Sequence, residues 1–421
     1  MPLSLTLHSF LCPSSFAFCI HSPLSSTTSN NRIFQLITTM GIFPTSDKFP
    51  VLVVLNPHSG RKQGLEAWEN TVKPALNAAN KPFRLIESNS QGHVISYFVD
   101  NIKPIITDLA QSLSTVTPGA GDNETTVYPT SAKLQIIVLG GDGTVHEIVN
   151  GILKGVEGTS FVTDAFRPEV EFSVIPTGTG NAISTSLGVT SVQDAVDRFI
   201  AGKTVPLRLM SVATKTSQLY TVVVNSYGLH CATVYDSEEF RHLGNDRFRQ
   251  AAMKNVENLK QYQGKLSFYG PTQRYNRASG SIVDTRTEDN IAQVDNKKSP
   301  AATITLPGPF TYLLITKQAS LEPGFTPTPF AKTSDDWMDV LAVQNVGQAE
   351  IMQMFGSTAT GAHVNQDHVD YIKAKIIELE TPTQGRLCID GEFLTIEAGP
   401  EGKVRFEVTP DPNIQIFHIF A

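Results

Sequence analysis

The stretch Ile136–Leu153, IIVLGGDGTVHEIVNGIL, runs an apolar strand through a glycine- and aspartate-bearing turn into a helix. Ile136–Leu139 reads as a buried strand. Val145, Ile148, Val149, Ile152 and Leu153 recur at i, i+3, i+4, i+7 and i+8, which marks one apolar helix face and leaves His146 and Asn150 on another. Between them stand Gly140, Gly141, Asp142 and Gly143. Glycine lets the backbone turn sharply and lets a phosphate approach its N–H groups, and the helix start behind it adds unpaired donors and partial positive charge. The stretch is therefore either a tight turn or a phosphate site.

The same grammar recurs on both sides. Pro50–Asn56, PVLVVLN, is a near-continuous apolar run leading into NPHSG and a helix with Leu65, Trp68, Val72 and Leu76 on one face. FRLIES at 83–88 reads as a second strand, followed by a helix carrying Val94, Tyr97, Phe98 and Ile102. FSVI at 172–175 is a further strand that ends in PTGTGN and leads to a helix with Val192, Ala195, Val196, Phe199 and Ile200. This alternation predicts a doubly wound α/β domain over 49–204, whose ligand lies outside the carboxyl ends of the strands.

Beyond Pro206 the character changes to β-type runs, QLYTVVVN, TYLLITK, DVLAVQN, KAKIIELE and KVRFEV, with one long helical segment from Glu238 to about Lys260. A mainly antiparallel β-sandwich domain over 205–421 is expected. Residues 112–131 read as a polar surface insertion, 273–303 as a disordered loop and 1–48 as a disordered leader.

The chain of 421 residues is 40% hydrophobic with a net charge of -7, enough for a large core and the wrong sign for a nucleic-acid scaffold. Cys12, Cys19, Cys231 and Cys388 are too widely spaced to suggest a disulfide framework or a zinc site, so a reducing, cytoplasmic setting is expected and the sequon at Asn123 is read as silent. A start at Met40 would present MGIFPT, which fits the N-myristoylation pattern. With no apolar run of membrane-spanning length, membrane contact is expected to be peripheral.

NPHSG, GGDGT and PTGTGN follow strands of one predicted sheet, so they should line a single glycine-walled cleft. Asp142 sharpens that reading. A carboxylate among phosphate-binding amides is unfavourable unless it holds Mg²⁺ or takes a proton from an attacking hydroxyl; the plainer alternative is that it caps its own helix.

GGDGTVHEIVNGIL, with NPHSG before it and IPTGTGNAIS after it, resembles the catalytic domain shared by diacylglycerol, ceramide and sphingosine kinases. SEEFRHLGNDRF and IDGEFL extend the resemblance, in order, from about Pro50 to Leu394. GGDG alone also occurs in NAD kinases and phosphofructokinases, whose nucleotide domains share this architecture. The resemblance implies a lipid kinase using ATP and Mg²⁺, with Asp142 as general base. It implies that Gly140, Gly141, Gly143 and Thr144 line the phosphates, that Glu147 orders the site near the metal, and that Asn56, Ser59, Gly178, Thr179, Gly180 and Asn181 complete the nucleotide cradle. Ser88 stands where the family usually has a nucleotide-contacting threonine. Arg241 and Arg247 match a pair of phosphate-clamping arginines. Asp390 and Glu392 match an Asp-Gly-Glu turn that reaches back to the nucleotide.

One segment departs from the pattern. In sphingosine kinases the residues just before the arginine pair include aspartates, one of which holds the substrate amine. Here GLHCATVYDSEEF puts Ala232 and Val234 at those places. A buried ammonium needs a partner charge, so a sphingoid base is put in doubt; Asp236 lies two residues out of register. Phe325, Phe330, Trp337, Met352, Met354 and Phe355 offer apolar material for a lipid tail or for an ordinary core. The competing functions are a soluble-substrate kinase, such as an NAD kinase, and a nucleotide- or lipid-binding protein without turnover.

Overall fold

The computed structural model describes residues 49–60, 62–118, 124–127, 131–157, 167–244, 246–285, 302–408, 411 and 415–421. The expectations for the leader, Met40, Cys12, Cys19, Asn123 and residues 286–301 lie outside them.

In the first half, β1 (Val51–Leu55) and β2 (Phe83–Glu87) are followed by α1 (His93–Ser112), the hairpin strands β3 (Thr115–Pro118) and β4 (Glu124–Val127), and β5 (Ser131–Gly140). Then come α2 (Asp142–Gly155), β6 (Arg167–Pro176), α3 (Ala182–Ser186), α4 (Val192–Ala201) and β7 (Thr204–Pro206). The polar insertion thus includes a short hairpin.

The second half opens with β8 (Met210–Ala213), β9 (Gln218–Thr221), β10 (Val224–Gly228), α5 (Leu229–Asp236) and α6 (Asp246–Glu257). It continues with β11 (Lys265–Asn276), β12 (Ser281–Asp284), β13 (Ile304–Pro307), β14 (Phe310–Thr316), β15 (Met338–Gln344) and α7 (Gln348–Ser357). β16 (Val369–Glu380), β17 (Gly385–Ile389), β18 (Glu392–Ile396), β19 (Val404–Val408) and β20 (Phe417–Phe420) complete it.

One sheet runs β2-β1-β5-β6-β20-β7, with the first five strands parallel and β7 antiparallel to β20. Every residue of β1 is buried, as a strand covered on both faces requires. The other sheet is antiparallel, β18-β17-β10-β14-β15-β16-β19-β8-β9, with β11 on β16 and β12 and β13 on β11. Its core packs Phe268, Phe310, Leu313, Met338, Ile377 and Phe406. The chain thus has the expected α/β sheet followed by an antiparallel sandwich-type sheet, and its last strand returns to the first sheet.

Several local expectations need correction. The helix after β1 contains a π-helical stretch, Trp68–Val72; Trp68, Val72 and Leu76 stay buried but Leu65 is 54% exposed. QLYTVVVN is two strands, because the N–H groups of Val222, Val223 and Val224 turn to the Asp390 carboxylate at 2.7, 3.0 and 2.8 Å. The helical segment from Glu238 is also divided. A 3-10 stretch, Ser237–Leu243, ends at Gly244 (φ 60°) before α6 begins. Residues 273–284 are ordered as the β11–β12 hairpin.

The most consequential correction concerns α2. His146 and Asn150 are buried, at 7% and 5% exposure, because the second sheet packs on the face that the apolar spacing left over. Asn150 Oδ1 accepts from Tyr220 N at 3.0 Å and its Nδ2 donates to Tyr220 O at 2.8 Å, so the side chain stands in for a paired strand against β9. Asn150→Ala strands both backbone groups. It should lower stability by about 2 kcal/mol or more in urea denaturation, while an exposed control such as Lys154→Ala should change it by less than about 0.5 kcal/mol.

Candidate active site

The three turns meet at the carboxyl edge of the parallel strands. A Cβ on Gly178 would lie 2.3 Å from Gly141 Cα, and one on Gly60 (φ +52°) would lie 2.4 Å from Thr177 O. These glycines are therefore required by the contact of turn on turn. Gly143 is different, since a Cβ there meets nothing within 4 Å, and at Gly180 the nearest atom is Leu321 O at 3.4 Å. The open side of the cleft is lined by glycine where the protein itself does not demand it, which is what a closely approaching ligand requires. Gly140 faces Thr144, whose Oγ1 accepts from Asn56 Nδ2 at 3.3 Å and so ties the first turn to the second.

Asp142 does not cap its own helix. Its Oδ2 accepts from Ala182 N at 2.7 Å and its Oδ1 from Ile183 N at 3.1 Å, so it caps α3, the helix after the third turn. Burial raises its carboxyl to about 6, against the lowering effect of those N–H groups, and the charge of Asp390 adds to the rise. Each oxygen keeps further acceptor capacity.

Two other acids also hold backbone. Glu147 accepts from the N–H groups of Ile95 and Val94 at the start of α1; its Oε2 is buried with no partner, and burial is the main cause that raises its carboxyl. Asp390, in the β17–β18 turn with a fully buried side chain, binds Val222, Val223 and Val224 and also pairs with His146 Nδ1 at 3.0 Å. Burial lowers the His146 imidazolium, but the hydrogen bond and charge of Asp390 outweigh it and the net shift is upward. Both oxygens of Asp390 thus engage protein groups, whereas its neighbour Glu392 is exposed.

The remaining residues divide in the same way. Asn181 (φ 55°) bonds Gly178 through both ends of its amide, at 2.9 Å each, and so closes the third turn on itself. Ser59 Oγ and Thr179 N stand near the Cβ position of Gly141, at 3.7 and 3.9 Å. Ser88 is buried at the end of β2 and bonds Ser90 O. Arg241 and Arg247 converge on Glu238, the latter at 2.9 Å, and Arg247 Nε is buried with no acceptor. Asp236 is engaged by Asn255 at 3.0 Å.

Sequence reasoning missed the loop between β14 and β15. Ser320 N donates to Ser186 Oγ, which donates back to Ser320 O, and this fastens the loop beside the third turn. It also missed Thr177, whose buried Oγ1 has no partner. A separation of 134 residues between Ser186 and Ser320 leaves no local signal for the first.

With that geometry in view, comparison with known proteins is decisive. The diacylglycerol kinase catalytic domain is recognised over residues 50–212 and the YegS C-terminal NAD kinase beta sandwich-like domain over 308–416. Over these two stretches the chain matches the diacylglycerol kinase catalytic family. Among the similar proteins are sphingosine kinase 1 of Arabidopsis thaliana, 23% identical over 89% of this chain and 77% of its own length, and sphingosine kinase 1 of Rattus norvegicus, 23% over 83% and 87%. Sphingoid long chain base kinase 4 of Schizosaccharomyces pombe is 21% identical over 82% and 71%. Two solved structures, each of a candidate diacylglycerol kinase from Bacillus anthracis str. Sterne, share the fold, with TM-scores of 0.54 and 0.55, 18% identity and coverage of 89% of this chain and 98% of theirs. The chain is a lipid kinase, and the lipid kinase family implies the use of ATP.

The two kinds of glycine predict different failures. Gly178→Ala forces backbone against backbone and should lower the melting temperature by several degrees. Gly143→Ala should melt within about 1 °C of the parent, yet raise KM for ATP at least tenfold in a coupled ADP-release assay.

Proposed function

We propose that the chain transfers the γ-phosphoryl group of ATP to the primary hydroxyl of a lipid of the sphingoid-base, diacylglycerol or ceramide class, with Asp142 as the general base. The observation that carries this reading is the placement of Asp142: a carboxylate raised to about 6 by burial, fixed by two backbone donors, at the mouth of a cleft lined by the open Gly143 and Gly180.

In the transfer, an Asp142 oxygen accepts the hydroxyl proton as the lipid oxygen forms its bond to the γ-phosphorus. The bond from that phosphorus to the β-bridging oxygen breaks, and ADP leaves with the electron pair. Gly140, Gly141, Gly143, Thr144, Asn56 and Ser59 form the phosphate wall, with Gly178, Thr179, Gly180 and Asn181 opposite and Ser88 at the nucleoside end. Arg241 and Arg247 neutralise the β- and γ-phosphates once these displace Glu238. Asp390 acts indirectly, by holding His146, and Glu392 stays available to the nucleotide.

Among the described residues no three His, Cys, Asp or Glu side chains converge as a metal cage. That arrangement suits Mg²⁺ entering with the phosphates and touching few protein ligands, and the partnerless Glu147 Oε2 fits such a contact. When bound, the ion supplies charge neutralisation. Residues 49–204 would carry the nucleotide and 205–421 the lipid. Since no helix among the described residues is long and apolar enough to cross a membrane, the lipid would be met by peripheral contact on the cytoplasmic side.

Asp142→Asn tests the base. With radiolabelled ATP and a panel of sphingoid base, diacylglycerol, ceramide and monoacylglycerol in vesicles, and NAD in solution, the parent should label at least one lipid. The variant should retain ATP binding and lose transfer by about 10²–10⁴-fold. Full transfer by the variant would reject the base, and labelling of NAD alone by the parent would reject the lipid.

A further inference from the structure

Asp142 depends on α3 for the donors that hold its two oxygens. Ala182 N and Ile183 N reach them at 2.7 and 3.1 Å, and these are the first two N–H groups of that helix. α3 has five residues, fewer than the roughly 12–15 that a helix needs to stand alone in water. Where its first N–H groups point is therefore set by what holds α3 along its length and at its far end.

Several contacts fasten α3 within the first half. Ile183 is fully buried, and Ser184 Oγ donates to Val174 O at 3.2 Å. Just past the helix, Arg198 of α4 donates to Leu187 O and Gly188 O at 3.0 Å each. The last residue of α3, Ser186, reaches the second half instead. Its Oγ accepts from Ser320 N at 3.1 Å and donates to Ser320 O at 3.0 Å. One hydroxyl thus satisfies both main-chain groups of a residue 134 positions away.

The loop that carries Ser320 is itself held by buried polar groups. At its base the fully buried Lys317 binds Asp335 Oδ1 at 2.9 Å and Trp337 O at 2.6 Å. Gln318, also fully buried, donates to Val222 O at 2.8 Å and accepts from Thr333 Oγ1 at 2.9 Å, while its main-chain oxygen accepts from Thr328 Oγ1 at 2.7 Å. Beyond Ser320, Leu321 O lies 3.4 Å from the Cβ position of Gly180, which is 3.7 Å from Asp142 Oδ2. The loop therefore meets the segment around α3 on both sides of the helix, at Gly180 before it and at Ser186 on its last residue.

We propose that Ser186 is a positioning residue for the phosphoryl transfer: by clasping Ser320 it braces α3 against the β14–β15 loop and so keeps the N–H groups of Ala182 and Ile183 on Asp142. This rests on Asp142 being the base and adds what holds that base in place. The brace runs on into the second sheet, since Gln318 holds Val222 O and the N–H of Val222 donates to Asp390 at 2.7 Å. Its loss has a definite electrostatic sign. Burial raises the Asp142 carboxyl, the two N–H groups of α3 hold it down, and the charge of Asp390, itself paired with His146, adds to the rise. Loosening α3 weakens the part that holds it down and leaves the others, so the carboxyl rises and needs a higher pH to lose its proton.

The test compares Ser186→Ala and Ser186→Thr with the parent on the full chain, using radiolabelled ATP and the lipid of the vesicle panel that the parent labels best. Ser186→Ala should lower kcat about tenfold, keep KM for ATP within about threefold, and move the acidic midpoint of the kcat/KM profile up by about 0.5 pH unit or more. Ser186→Thr keeps the hydroxyl and should return at least about half of the parent kcat. Both variants should melt within about 4 °C of the parent, because Ile183, Ser184 and Arg198 still hold α3. A midpoint that stays with that of the parent, whatever kcat does, overturns the assignment and leaves Asp142 standing as the base. So does a loss of kcat that Ser186→Thr does not relieve. A parent with no acidic midpoint between pH 5 and 8 rejects the base, and the assignment falls with it.

Discussion

Everything at the cleft depends on how α2 is tied. Within its first nine residues Asp142 caps α3, Thr144 receives Asn56, His146 meets Asp390, Glu147 caps α1 and Asn150 clasps Tyr220. One helix thus holds the first turn, the third turn, the neighbouring helix and the second sheet. Such a hub gives the proposed base a fixed position without a rigid side chain of its own, since its neighbours determine where it stands. The same arrangement explains why the carboxylate can be raised to about 6 and still be well ordered, for the donors that hold it come from backbone and bring no full charge.

The hub also separates structure from ligand binding among residues that look alike in sequence. Gly141 and Gly178 let two turns touch, whereas Gly143 and Gly180 leave room. Asp142 caps the helix after the third turn, while Asp390 holds His146 and the N–H groups of Val222, Val223 and Val224. The arginines present a third case. Glu238 holds Arg241 and Arg247 together, so a carboxylate occupies the guanidinium pair that the proposed function assigns to the phosphates.

Much of this was legible because its signals are local. β1 is apolar at every position, α2 shows its i, i+3, i+4 spacing, and each turn announces itself by glycine after a strand. The doubly wound sheet and the edge where the turns meet follow from those signals alone. What was not legible comes from distant partners. His146 and Asn150 read as a separate face until β9, seventy residues on, covers them. QLYTVVVN reads as one strand, because nothing in it reveals that Asp390, 166–168 residues later, takes its middle N–H groups. Leu65 sits on the apolar face only if the helix keeps a regular period, and the π-helical stretch after it does not. The loop between β14 and β15 gave no sign of meeting the third turn, because Ser186 and Ser320 are joined only by the fold.

The proposed role of Asp142, a proton acceptor that α2 presents to the lipid hydroxyl, has a kinetic signature. The most direct measurement is the pH dependence of kcat/KM for the lipid at saturating ATP. A base raised to about 6 must be deprotonated to work, so the profile should climb with unit slope below pH 6 and level off above it. A profile that is flat from pH 5 to 8, or that climbs only below pH 4.5, would rule Asp142 out as that base.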